Sequence, residues 1–255
     1  LLRWDEQNNL WTEYYQNEYP GILSKDINRI IRKDNFLYIA TGYGFMIFDI
    51  INNNWKLYDT RNGLPTNNVI DLSIYNNMIY LATSKGLVEF SIKLNKPIGY
   101  YSKQILKNCE IFDIEKSDNL LYVVSSHGFY LIDLKTNLFQ FLSEKIFFKL
   151  SIHNEHIALA TKNKVYKYNN NKFNFLFKNP NIKNLNYISE YIWTHNKNSA
   201  TLYDIKNDRR YDYNYMDGIP GDIIYNFNCN EDWICFNTNN GVTFYNWSKF
   251  HYYEN

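Results

Sequence analysis

Long apolar runs, a paired set of cysteines and an excess of either charge are all missing from this 255-residue chain. Without 18 or more consecutive apolar residues, no helical segment here crosses a bilayer, and direct membrane insertion is not expected. Lys and Arg total 27 against 26 Asp and Glu, which removes a global pull toward nucleic acid or anionic lipid. Three cysteines, Cys109, Cys229 and Cys235, form neither a disulfide framework nor a C-x-x-C metal spacing. Cys229 and Cys235 flank an expected hairpin and could face each other across it, but buried free thiols are the stronger expectation. His127, His153, His156, His195 and His251 follow no metal-ligand spacing, and no Gly-Lys phosphate-loop text accompanies the glycines. No metal and no cofactor are therefore expected. The chain opens on Leu1-Leu2-Arg3-Trp4-Asp5, with no initiating Met and no signal-peptide pattern. We read that start as an internal boundary in a longer protein. Ala occurs only five times, so the best helix former is scarce.

What the chain does have is aromatic and turn-forming residues. Tyr (24) and Phe (17) favour strands. Asn falls in short runs such as Asn52-Asn53-Asn54, Asn76-Asn77 and Asn169-Asn170-Asn171, set between apolar stretches where its amide can close a turn in left-handed geometry. Composition points to an all-β protein.

An internal repeat gives the architecture. The segments YIATGYGFMIFDI from Tyr38, YLATSKGLVEFSI from Tyr80 and YVVSSHGFYLIDL from Tyr122 follow one another at intervals of 42 residues. ICFNTNNGVTFYN from Ile234 repeats the phrase, and ALATKNKVYKY from Ala158 and YIWTHNKNSATLYDI from Tyr191 are worn copies. Thr41, Thr83, Ser125, Thr161, Thr194 and Thr238 mark the register, with steps of 42, 42, 36, 33 and 44. In the second copy Val69 to Tyr75, Met78 to Thr83 and Leu87 to Ile92 are apolar runs separated by Asn76-Asn77 and Ser84-Lys85-Gly86. Asn95-Lys96-Pro97 breaks the chain before a fourth run through Gly99-Tyr100-Tyr101. Four short strands in about 40 residues make an antiparallel meander of the size of a propeller blade.

Strands such as Phe36-Leu37-Tyr38-Ile39-Ala40 are apolar almost throughout, so both faces should be covered, as between neighbouring blades. Ala40, Ala82 and Ala160 recur at one strand position, which suggests close approach there. Trp55 to Asp59 and Phe250 to Glu254 read as charged outermost strands, a protection against edge-to-edge pairing. Leu2 to Tyr14 aligns with Met46 to Tyr58 at an offset of 44, so the chain begins with the last two strands of a blade. The expected organisation is one β-propeller domain over 1–255. It has a half blade at 1–20 and full blades at 21–65, 66–105, 106–145, 146–179, 180–220 and 221–255. The ring would have six or seven blades, or belong to a larger multi-propeller chain.

Two phrases carry a family resemblance. Gly63-Leu64-Pro65-Thr66-Asn67-Asn68-Val69, followed by Ile79 to Leu87, resembles the two-component regulator propeller repeat, in which a Gly-Leu-Pro loop leads into a Thr-x-x-Gly hairpin. Gly218-Ile219-Pro220-Gly221-Asp222 is similar to the same loop. The match is good in the first, second and last full blades, fair in the third and poor in the fourth and fifth, and its motifs mark turns rather than chemistry. The resemblance implies a module of the bacterial envelope, periplasmic or at the cell surface. It fits the sensor half of hybrid histidine kinases, where stacked propellers recognise oligosaccharides, or a surface component of type IX secretion. Partners would be an oligosaccharide or a protein or peptide, along with other domains of the same parent chain, and not nucleic acid.

Catalysis has little to stand on. Asp71, Asp113 and Asp222 lie near the starts of innermost strands but come from different blades, and their convergence cannot be argued. A propeller-based polysaccharide lyase or glycosidase is therefore the third reading, and no catalytic residue is assigned. Asn246-Trp247-Ser248 matches a glycosylation acceptor, as chance allows at this Asn content. A binding face is expected where the loops leading into the first strand meet those joining the second to the third. The candidate residues there are Tyr43, Arg61, Asn62, Lys85, Lys103, His127, Asp217, Asn239 and Asn240, with Met216 beside them. Such aromatic, amide and charged groups suit a sugar or a peptide. The first reading is a non-catalytic ligand-binding or sensory propeller, and the alternative is a protein-interaction scaffold.

Overall fold

Turn chemistry organises the molecule, and it differs at the two ends of the strands. The computed structural model describes residues 2–5, 8, 10–13, 26–100 and 106–251. The fold is all-β, a β-propeller of antiparallel blades. It divides into two compact units, Leu1–Ile114 and Glu115–Asn255.

The first unit opens with a hairpin, β1 (Leu2–Asp5) and β2 (Leu10–Glu13). Its first full blade is the meander β3 (Ile27–Lys33), β4 (Phe36–Thr41), β5 (Gly44–Asp49) and β6 (Asn54–Tyr58). The second is β7 (Val69–Tyr75), β8 (Met78–Thr83), β9 (Gly86–Ser91) and β10 (Lys96–Tyr100). The next strand, β11 (Ile111–Ser117), spans the division and continues into β12 (Leu120–Ser125), β13 (Gly128–Asp133) and β14 (Leu138–Ser143). The fourth blade is β15 (Lys149–His153), β16 (His156–Ala160), β17 (Lys164–Asn169) and β18 (Lys172–Lys178). The fifth is β19 (Asn184–Ile188), β20 (Tyr191–His195), β21 (Ala200–Asp204) and β22 (Arg209–Tyr213). The sixth contributes β23 (Ile224–Cys229), β24 (Trp233–Thr238) and β25 (Gly241–Asn246), followed by a four-residue helix α1 (Ser248–His251).

The Asn-rich runs sit where the chain must turn back on itself. Among the described residues, fourteen non-glycine positions have positive φ, and Asn or Asp fills twelve of them. Asn53, Asn76, Asn95, Asn137, Asn154 and Asn170 close the turns after the first and third strands of their blades. Asn tolerates this left-handed geometry because its short amide bonds to the local backbone.

Innermost strands are tied to one another by side chains. In the first unit Asn28 Nδ2 donates to the Val69 carbonyl at 2.7 Å, and Asp71 Oδ2 accepts the Ile114 N–H at 3.1 Å. In the second unit Glu115 Oε2 accepts the Ile152 N–H at 2.8 Å and Ser151 Oγ accepts the Tyr187 N–H at 3.0 Å. Asn184 Nδ2 donates to Asn226 Oδ1 at 2.7 Å. Each link is worth about 1 kcal/mol net, and more if one partner is removed and the other is left orphaned.

Apolar faces fill the space between blades. In the first unit Tyr38, Ala40, Phe45 and Ile47 pack against Ile79, Leu81, Val88 and Phe90, with the Phe45 and Phe90 rings edge to face at 5.0 Å. In the second, Trp193, Ala200 and Leu202 pack against Ile234, Phe236 and Trp247. Ala40, Ala82 and Ala160 are fully buried, in keeping with close approach at that position. The sixth blade breaks the pattern, because Asn237 stands there and is exposed.

Three local expectations are corrected. Phe250 and His251, read as the start of an outermost strand, lie in α1. Asn246 Oδ1 accepts the Ser248 hydroxyl and the Lys249 N–H, which curls the chain, while Trp247 is buried with its indole N–H on the Asn230 carbonyl. Lys96 and Pro97 do not break the chain ahead of the fourth strand but belong to it; β10 lies at the edge of its sheet, where a missing N–H is tolerated, and its register slips between Pro97 and Gly99. Cys229 and Cys235 do not oppose each other. Cys229 pairs with Ile234 and Cys235 with Asn228, and both thiols are free. Burial raises the pKa of both, Cys229 to about 12.

Candidate functional site

In five of the six repeats the recurring Thr or Ser works within its own turn, whereas Thr194 Oγ1 in the fifth blade accepts Asn179 Nδ2 at 2.8 Å. Thr41, Thr83, Ser125, Thr161 and Thr238 donate their hydroxyls to the carbonyls of Gly44, Gly86, Gly128, Lys164 and Gly241. The same oxygens accept N–H groups two residues on, at Tyr43, Lys85, His127, Asn163 and Asn240. These five register residues are thus spent on backbone. At Gly128 the φ is 126°, and a Cβ would overlap the Ser143 carbonyl oxygen of the neighbouring strand. Lys164 replaces glycine in the fourth blade without positive φ. The turns leave Tyr43, Lys85, His127 and Asn240 exposed.

Leading into the second and sixth blades are two loops of one design. Residues 60–62 and 215–217 each form a 3₁₀ turn, capped by Asp59 and Asn214 respectively. In both, the cap side chain and the third turn residue exchange bonds with each other's backbone, and a left-handed glycine ends the turn, Gly63 or Gly218. Leu64 and Ile219, one residue later, are buried and anchor the loops.

Their side chains diverge. In the first unit Arg61 holds Asp59 through Nε at 2.8 Å, and Asn62 Oδ1 accepts the Asp59 N–H at 3.1 Å. The Arg61 side-chain bond first, then the Arg61 backbone N–H and charge and the Asn62 backbone N–H, hold the Asp59 carboxyl below the usual carboxylate range against its burial. Thr66 Oγ1 lies 3.3 Å from Ser84 Oγ, and Asn67 Oδ1 accepts the Thr60 N–H at 2.9 Å, so the loop closes on itself.

In the second unit Tyr215 and Met216 occupy the places of Thr60 and Arg61 and are 57% and 77% exposed. Gly221 stands for Thr66, with φ 91°, where a Cβ would run into the Asn239 amide. Asp222 then reaches the hairpin: Asn239 Nδ2 donates to its Oδ1 at 2.9 Å, while Asn239 Oδ1 accepts the Ile223 N–H at 3.0 Å. Asn198 Nδ2 holds the Asp222 carbonyl at 2.6 Å. Between loop and hairpin lies an open cavity of about 670 Å³, lined by Tyr215, Gly218 to Asp222 and Asn240.

The nine candidate residues therefore fall into distinct settings. Arg61 and Asn62 are held by the Asp59 cap, and Asp217 Oδ2 accepts the Asn214 N–H at 2.9 Å. Tyr43 and Lys85 are exposed on their hairpins in the first unit. His127 is exposed in the second, its Nδ1 3.1 Å from Ser126 Oγ. Asn239 and Asn240 meet the loop at the cavity, and Lys103 lies outside the described residues. The cavity adds Tyr215 and Asp222 to that set, a pair that aligning 214–224 with 59–69 would have drawn out.

Acidic and histidine chemistry does not gather. Asp71 is 5% exposed, accepts the Leu72 and Ile114 N–H groups and lies 3.6 Å from the Arg29 guanidinium. Among the described residues no group of three or more His, Cys, Asp or Glu is placed to hold a metal, and no helix is long and apolar enough to cross a membrane. His195, at the end of β20, is 1% exposed. Its Nδ1 lies 2.8 Å from the Asn196 carbonyl and its Nε2 has no hydrogen-bond partner. Burial, aided by the charges of Lys149 and Lys183, lowers its pKa to about 4.

No family model matches the chain, and no curated protein matches it. Solved structures do. The extracellular domain of BT3049, described as a hybrid two component system of B. thetaiotaomicron, superposes with a TM-score of 0.69 at 14% identity, covering 95% of this chain and 39% of that one. PorZ, a surface component of the type-IX secretion system of Porphyromonas gingivalis, gives 0.63 at 17% identity, covering 88% and 32%. The computationally designed Ika8 protein gives 0.64 at 13%, covering 87% and 71%. At these identities the likeness is one of fold. The chain spans about a third of the length of the two bacterial proteins.

Proposed function

We propose that this chain is a non-catalytic recognition propeller of a bacterial cell-envelope protein, periplasmic or at the cell surface, and that it binds a saccharide or peptide at the 215–222 loop. The observation that carries this reading is the open cavity of about 670 Å³ between that loop and Asn240. An exposed Tyr ring stands beside a carboxylate and an amide, the combination that stacks on and hydrogen-bonds to a sugar ring or a peptide backbone. The Gly-Leu-Pro and Thr-x-x-Gly phrases, with the extracellular sensor and surface propellers of the same fold, support the family and the location. Screening oligosaccharides and peptides against the purified chain tests the proposal. Tyr215→Ala and Asn240→Ala should each weaken the selected ligand by about tenfold or more while leaving thermal stability unchanged. A ligand held equally well by both variants would move the site elsewhere.

The scaffold reading has its own support. On the sixth blade Trp233, Val242 and Phe244 are 45%, 54% and 58% exposed. They stand on one sheet face, where Tyr38, Phe45 and Ile47 of the first blade are buried. An apolar face of this kind favours a protein partner, and substituting Phe244→Asp should abolish capture of such a partner without touching saccharide binding.

A further inference from the structure

A different cavity, of about 320 Å³, lies in the first unit at the end of the strands opposite the 59–69 loop. Register builds it. Phe36, Asp49 and Asn54 are direct cross-strand neighbours, as are Tyr38, Ile47 and Lys56, so all six side chains share one face of β4, β5 and β6. Ile92 and Asn95, from the turn between β9 and β10, close it from the second blade.

Its polar groups are held in place and only partly used. Asp49 Oδ1 accepts the N–H groups of Ile51 and Asn52 at 3.1 Å, and its Oδ2 accepts Asn52 Nδ2 at 2.8 Å. A carboxylate has about four acceptor sites, so room for one more donor remains. These bonds, the Asn52 side chain first and the Lys56 charge last, hold the carboxyl below its ordinary pKa, and it is anionic at neutral pH. Lys56 is exposed, with no hydrogen bond or ion pair among the described residues. The Tyr58 hydroxyl donates to Asn95 Oδ1 at 2.7 Å, which leaves the Asn95 NH₂ to donate to something else.

One negative and one positive group therefore stand diagonally across neighbouring strands beside an apolar wall of Phe36, Tyr38, Ile47 and Ile92. The volume is at the small end for ligand sites and matches a single small molecule. A polyanion would meet Asp49, and a polycation would meet Lys56. We propose that this cavity binds a free α-amino acid with an apolar side chain. Its ammonium lies on Asp49, its carboxylate on Lys56 and the Asn95 amide, and its side chain against the Phe36 and Tyr38 rings. The site is independent of the saccharide or peptide reading of the second unit.

Titration calorimetry of the whole chain with L-leucine and L-phenylalanine tests it. Saturable binding is expected below about 10 mM, with the N-acetyl and carboxamide derivatives each weaker by about tenfold or more. L-Glutamate and L-lysine should fail to bind. Lys56→Gln should weaken L-leucine by a similar factor with no change in thermal midpoint, and Phe36→Ala should do so for both ligands. No saturation with either amino acid, equal binding of the blocked derivatives, or an unaffected Lys56→Gln variant would each overturn the proposal. The blocked derivatives are measured on the unsubstituted protein, so the proposal stays open to refutation even if a variant folds poorly.

Discussion

The loops at 59–69 and 214–224 fold alike and end differently. Both make a capped 3₁₀ turn, both stop at a glycine with φ of 98° or 97°, and both bury the next apolar residue. In the first, a charged cap is clamped by Arg61, and Thr66 and Asn67 fold back on the loop and its hairpin. In the second, the cap is neutral, Met216 projects into solvent, and Gly221 lets Asp222 reach Asn239, so a cavity stays open. Glycine and the apolar anchor set the backbone; the residues at the second, third, eighth and ninth positions set whether the loop folds back on itself or leaves a cavity. A repeat can therefore be read for fold while telling little of what it binds.

Acid should separate the two units most strongly. The first unit contains no histidine, whereas the second holds His195 buried beside Lys149, Lys183 and the Phe227 ring. A folded-state pKa of about 4, against an ordinary 6.5, means that only the unfolded chain takes up the proton between those values. The stabilisation is complete above pH 6.5 and is lost as pH falls toward 4, about 3 kcal/mol in all. Urea midpoints of the second unit should fall steeply across that window, and His195→Gln should flatten the slope. An equal slope in the variant would mean that another group drives the acid sensitivity.

Next in size is an exchange between the loops. Gly221→Thr gives the second loop the first loop's residue, at a φ of 91° and against the pinned Asn239 amide. A loss of about 2 kcal/mol is expected from backbone strain and displacement of that amide. Ligand binding at the cavity should go with it. The reverse change, Thr66→Gly, removes a hydroxyl that meets Ser84 Oγ and the Asn68 N–H, both at 3.3 Å, and should cost about 1 kcal/mol. Equal losses would show that the two loops do not differ in backbone demand.

Much of this was legible in the residues. The 42-residue spacing of Thr41, Thr83 and Ser125 gave the meander and the blade, because a hairpin closed by hydroxyl and glycine leaves little freedom in register. Asn runs marked the turns because few other residues accept positive φ. The candidate site residues were harder to see. Arg61 and Asn62 read as polar loop residues, and only neighbours fixed by folding reveal that both bond to the Asp59 cap. The structural use of Asp71 was equally out of sight, because the Ile114 N–H that its carboxylate accepts lies 43 residues away. Tyr215 was not among the candidates and Asp222 was weighed only for catalysis, since the motif fixes glycine and proline and says nothing of the positions that line the cavity. The helix at Ser248 turned on Asn246 bonding forward to Lys249, a local competition that strand propensity does not weigh.

The smallest effect tests the caps themselves. Asp59→Asn would give the first loop the neutral cap that Asn214 provides in the second. Arg61, Asn62 and the loop backbone all favour the ionised Asp59, with the Arg61 side-chain bond leading, so its folded-state pKa lies below the ordinary carboxylate value. That stabilisation is fully present above about pH 3.9 and fades as pH falls through the lower folded value. The substituted protein should therefore unfold at slightly lower urea than the parent at pH 7, and the gap should close as acid protonates Asp59. Because the Arg61 side chain is 78% exposed, added salt should narrow the gap as well. A gap that persists unchanged through acid and salt would mean that hydrogen-bond geometry, which Asn supplies less well, separates the two caps rather than charge. The charged clamp would then not be what closes the first loop, and the contrast with the second would rest on Thr66 and Asn67 alone.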